Sequence, residues 1–165
     1  MRKHTWKLML AGVFVSCAIG VVMLRMARAT PPSGVTNTLL AGPVVLDDID
    51  VVSQSPQFGV MIKTRGPSDA YVRHLTIAPG GDTGWHSHPG PVFVLVTAGT
   101  VTMFHSDDLD SPNVFPAGTG FVEGPGDVHN AVNEGDTNVE LVVLFLVPHG
   151  SPTRIDEPAP GDDSD

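Results

Sequence analysis

The chain reads as all-β, a sandwich or a barrel, on three observations. Short β-type runs recur after Thr30, turn-forming residues separate them, and no run there has the 3.6-residue apolar spacing of an amphipathic helix. The expected strands are residues 44–46, 59–64, 70–77, 83–88, 92–96, 100–105, 121–122, 129–132 and 139–147. Alternation is plainest from Tyr71 to Ile77. Pro79-Gly80-Gly81-Asp82 and Asn133-Glu134-Gly135-Asp136 are turn formers between apolar runs, and Ala98-Gly99-Thr100 suits a tight connection. Residues 107–113 read as a polar loop. Pattern alone leaves jelly roll and immunoglobulin-like sandwich both open.

At 165 residues with 41% hydrophobic content, the chain is long enough for one domain with a proper core. Its charge is unevenly placed. Five of the nine Lys and Arg precede Thr30 and all eighteen acidic residues follow it, so the net charge beyond that point is −14. Phosphate backbones and anionic headgroups would repel such a body, which argues against nucleic-acid binding and peripheral membrane binding.

The N-terminus has the layout of an export signal. Arg2, Lys3 and Lys7 precede an uncharged, mostly apolar run over 8–24, and Ala27-Arg28-Ala29 forms a small-x-small cleavage pattern before Thr30. A signal peptide over 1–29 and a secreted or extracytoplasmic protein are therefore expected. The alternative is an uncleaved membrane anchor over 8–24, since seventeen residues just reach the shortest span. Cys17, the single cysteine, lies in this segment, so a metal site in the exported body must use imidazole and oxygen ligands. Residues 30–38, with Pro31-Pro32, read as a flexible tether, 39–150 as the domain, and 151–165 as an acidic Pro- and Asp-rich tail, wrapped or loose.

His86 and His88 carry the functional signal. Side chains two apart on a strand share a face, so the two imidazoles form half of a metal site, and His129 on a later strand can complete it. Gly80, His86, His88 and Gly99 stand in the spacing of the first sequence motif of the cupin superfamily. Gly118, Gly126, His129 and Asn133 stand in that of the second. The chain thus resembles the cupins, and the resemblance implies a double-stranded β-helix, or jelly-roll barrel, with a metal inside. Two positions depart from the motifs: Val92 fills the carboxylate position of the first, and Gly124 the proline position of the second.

The resemblance implies His86, His88 and His129 as ligands of a divalent transition metal, with Fe, Zn, Cu, Ni and Mn all compatible. Val92 should face the same centre but cannot bind an ion. Glu123 is the nearest carboxylate of the second motif, a candidate fourth ligand or general base as against a charge on the rim. His74 is a candidate catalytic partner if its strand turns it inward, and a surface residue if not. His105 and His149 read as strand-end residues and Asn133 as a turn residue. The expected function is an exported metal-dependent enzyme, of oxygenase or isomerase/hydrolase type, acting on a small organic substrate. The alternative is a non-catalytic cupin that binds metal or a small ligand or serves as structure. For the structural alternative, the resemblance implies a homodimer through an edge strand as one option.

Overall fold

The structure is a computed structural model that describes residues 29–161. The expected export segment, apart from Ala29, lies outside the described residues, as does the end of the acidic tail. Twelve strands follow one another: β1 (Ser33–Leu46), β2 (Asp50–Gln54), β3 (Gly59–Lys63), β4 (Ser68–Asp82), β5 (His86–Ser87), β6 (Val92–Ala98), β7 (Thr100–His105), β8 (Asp108–Pro116), β9 (Gly120–Glu123), β10 (His129–Val132), β11 (Val139–Pro148) and β12 (Ile155–Asp156).

Ten strands form one antiparallel sheet that curls into a nearly closed barrel, in the order β12-β5-β10-β4-β11-β6-β9, with β1 beside β4 and β7 joining β10 to β8. The remaining pair, β2 and β3, makes a separate hairpin. Alternation decides what goes inside. Along β6, Val92, Val94 and Val96 are buried, and along β11 so are Val139, Leu141, Val143, Phe145 and Val147. Ile77, Val101, Met103 and Ala131 complete the core between the layers. The all-β fold is as expected, and the curl places one end of the core next to β5 and β10.

Three boundaries differ from expectation. Residues 33–38 are not a free tether, because β1 begins at Ser33 and its register with β4 runs from Ser33↔Asp82 to Leu46↔Ser68. β4 has a free edge there, and pairing satisfies backbone groups that an extended tether would leave to water. Residues 107–113 are largely strand, with β8 paired to β7 from Thr100↔Pro116 to His105↔Asp108. As an edge strand, β8 is exposed apart from Phe115, which packs against the core, so it carries Asp and Pro and shows no apolar alternation. Of the two readings of the tail, residues 151–158 take the wrapped one and extend the domain past residue 150, since β12 pairs with β5 and Ala29 bridges to Pro158.

Candidate metal centre

Each histidine reaches the barrel interior by a different local device. His86 lies on β5, which β10 flanks through the register His129↔His86 and β12 through Asp156↔His86. His88 follows two residues on and shares its face; the two are 6% and 3% exposed. Ser87, between them, points the other way and donates to Glu157 Oε1 at 2.7 Å. His129 opens β10 and is fully buried.

The three rings converge. Their centroids are 4.8 Å apart for His86–His88, 4.4 Å for His86–His129 and 5.2 Å for His88–His129. One nitrogen of each lies within 4.8 Å of the others, a group that could hold a metal ion. Every Nδ1 faces a backbone carbonyl: Gly84 O at 2.8 Å for His86, Thr153 O at 2.6 Å for His88 and Asp127 O at 2.9 Å for His129. A carbonyl only accepts, so each Nδ1 carries a proton, and in the neutral ring Nε2 keeps the lone pair. That is the tautomer a metal-binding imidazole needs, held by the kind of outer partner that orients such ligands.

Glu123 is not on the rim. It is 8% exposed, at the inward end of β9, with Oε2 at 3.2 Å from His88 Nε2 and Oε1 at 3.3 Å from His129 Nε2. The contact to His129 does not make a hydrogen bond, and His129 Nε2 is a buried polar atom without a partner. Burial alone would raise the Glu123 carboxyl, but the approach and charge of His129 and His88 outweigh it and hold the group at about 2. Burial, with the charges of His129 and Arg154, pushes His86 down to about 3 against the bond to Gly84. Burial also acts to lower His129, yet Glu123 and the Asp127 carbonyl leave it above its ordinary value. A carboxylate, an uncharged imidazole and an orphaned Nε2 facing one point fit a divalent cation of the borderline kind.

His74 does not join them. Leu75 and Ile77 take the inward face of β4, so His74 and Thr76 turn outward, where both contact Glu140 Oε2, at 2.9 and 2.8 Å. Its candidacy as a catalytic partner is corrected on that ground. Val92 faces inward as expected and is fully buried. Sequence reasoning missed the outer wall: Thr153, which pins His88, and Glu157, which pins Ser87, carry no local pattern. His105 lies beside Asp127, at 3.2 Å, with its ring 6.4 Å from that of His129.

The cavity at the centre is small, about 40 Å³, bounded by His86, His88, Glu123, Met103, Phe121 and Phe145. It has room for a water or a molecule of similar size. A far larger apolar cleft, about 860 Å³, lies between the β2–β3 hairpin and the outer side of β11, and none of the three histidines lines it. The candidate donors His86, His88 and Glu123 line the small cavity.

A family model for the cupin domain matches residues 73–145, the stretch that holds β5 to β10 and all three histidines. That stretch is a cupin domain. Among solved cupins, a cupin-2 domain from Rhodospirillum rubrum is 11% identical with a TM-score of 0.50, over 76% of this chain and 66% of that one. A cupin 2 conserved barrel domain protein from Leptotrichia buccalis is 12% identical with a TM-score of 0.47, over 68% of this chain and 40% of that one. An oxalate oxidase in complex with glycolate is 24% identical with a TM-score of 0.45, over 52% of this chain and 45% of that one. These likenesses concern the fold. No curated protein matches the chain.

Proposed function

We propose that this cupin is an extracytoplasmic protein that holds a divalent transition metal on His86, His88 and His129 and uses it on a small oxygen-bearing organic molecule. The observation that supports it is the set of three Nε2 lone pairs, each fixed by a carbonyl at Nδ1, turned on one buried point. When bound, the ion supplies Lewis acidity, or a centre at which dioxygen and a substrate can meet. The chain's own part is to aim the imidazoles through their Nδ1 carbonyls, to keep bulk water out with Met103, Phe121 and Phe145, and to set an ionised Glu123 beside them, where it can accept a proton. A second reading, metal binding without turnover, is favoured by the narrowness of the 40 Å³ cavity, which admits no drug-sized ligand.

Metal analysis of the chain from Thr30 onward, against the His86→Ala/His88→Ala double variant, tests the shared premise. The parent is expected to carry close to one ion per chain and the variant only a trace. Equal sub-stoichiometric traces in both would discard the metal site. Metal-dependent dioxygen uptake or product formation, screened over small hydroxy and keto compounds, then separates turnover from binding.

A further inference from the structure

Val92 and Glu123 are partners across one rung of the sheet. β6 and β9 pair in the register Val92↔Glu123, Phe93↔Val122, Val94↔Phe121. Opposed residues of an antiparallel pair share a face, with Cβ atoms about 4.5–5.5 Å apart. Both side chains are buried, at 0% and 8% exposure, while their neighbours Phe93 and Val122 are exposed on the outer face. A carboxylate at 92 or at 123 thus enters the same part of the barrel, one strand apart. The geometry points to Glu123 as the carboxylate ligand of the ion, supplied by β9 in place of the β6 position that Val92 fills. The inference rests on the metal-binding reading above and adds a fourth ligand to it.

The contacts to two of the three rings have the spacing of shared ligands. Two donors each about 2.1 Å from one ion, at angles between 90° and 109°, lie about 3.0–3.4 Å apart. Glu123 is 3.2 Å from His88 Nε2 and 3.3 Å from His129 Nε2, and each of its oxygens addresses a different ring. Taking an ionised carboxylate out of water costs several kcal/mol unless a cation or donors repay it. In the neutral rings the nitrogens it meets carry the lone pairs, since the carbonyls take the Nδ1 protons. Lone pair facing lone pair is unfavourable, and His129 Nε2 has no hydrogen-bond partner. A dication between them makes every one of these contacts attractive. It also leaves the site with a carboxylate and three imidazoles, so the ion's charge is partly neutralised within the barrel.

Cobalt(II) titration of the chain from Thr30 onward, read by its visible absorption and by competition with a chelator, tests the assignment. Glu123→Gln is expected to weaken binding at least tenfold to a hundredfold and to change the spectrum. The exchanged chain, Val92→Glu with Glu123→Val, is expected to recover to within about tenfold of the parent, because the carboxylate returns to the same face. A third reading needs no variant. The chain has four glutamates, and with δ-carbon labelling the Glu123 carboxyl signal should shift in step with one equivalent of Zn²⁺. Parental affinity and spectrum in Glu123→Gln, an exchanged chain no better than that variant, or a Glu123 signal indifferent to Zn²⁺ would each overturn the inference. If the parent binds cobalt but these results fail, the three-histidine reading stands and Glu123 alone falls. If the parent binds neither ion, both fall.

Discussion

His86 and His88 are held from outside the barrel, whereas Glu123 and His129 are held from within it. The first pair stands on and just after a two-residue strand whose outer neighbour is β12, and the His88 ring is aimed by the Thr153 carbonyl. Glu157 reinforces that neighbour through Ser87 Oγ and through its own N–H, which donates to Trp85 O at 3.0 Å. The second pair hangs on the core layers: β9 on β6, and β10 on β7 over four rungs from His129↔His105 to Val132↔Thr102. Asn133 closes that end, donating to Ile77 O and Thr137 O at 2.8 Å each and accepting from Gly135 N at 3.0 Å. One half of the centre therefore depends on a late segment of chain, and the other on the barrel's own stability.

Removing that late segment should expose the contrast most strongly. A chain ending at Gly150 loses the Thr153 carbonyl, β12 and Glu157, but no residue of the apolar core. Zn²⁺ affinity is expected to fall about tenfold to a hundredfold, as when other outer partners of metal ligands are lost. The thermal midpoint of the metal-free chain should move far less. Unchanged affinity would show that the first half needs no outer wall. Asn133→Ala should do the reverse. It strands the buried carbonyl of Ile77 and frees the part-buried one of Thr137, costs about 2 kcal/mol in urea unfolding, and leaves Zn²⁺ affinity of the folded fraction within a few-fold of the parent. A large affinity loss at unchanged stability would place Asn133 in the site rather than in its support.

The same contrast explains what the sequence could show. His86, His88 and His129 were legible because a two-residue spacing fixes a shared face and the glycine-framed motifs fix the strands. Val92's inward direction followed from its place at the fourth ligand position of the first motif. Glu123 was ambiguous, since its face depends on how the chain leaves Gly124-Pro125-Gly126, a turn whose course no periodicity encodes. His74 was equally undecided, because β4 is half-buried along most of its length and both faces carry apolar and polar residues. The outer wall was invisible for a stronger reason. Thr153 acts through its backbone oxygen, which every residue has, and β12 is two residues long in a Pro- and Asp-rich stretch. β8 was hidden because an edge strand exposed apart from Phe115 has nothing to alternate.

Asp69 marks the place where the two halves meet, and its titration offers the finest test. It lies on β4, 4% exposed, and accepts from His149 Nδ1 at 2.8 Å and from Gly150 N at 2.9 Å, at the point where β11 ends and the outer wall begins. The bond from His149, then that from Gly150, hold its carboxyl below the ordinary 3.8, against the opposing effect of burial. A carboxylate favoured by the fold stabilises it in full above the unfolded value of 3.8, and that contribution fades as pH falls through the lower folded value. Asp69→Asn should therefore melt below the parent at about pH 5, and the gap should close as both are taken below the ordinary carboxyl range. Because the residue aims the outer wall, the variant should also bind Zn²⁺ a few-fold more weakly at neutral pH. A melting gap that persists unchanged into acid would mean that Asp69 acts by shape rather than by charge, and the wall would then be aimed by the β4–β11 pairing alone.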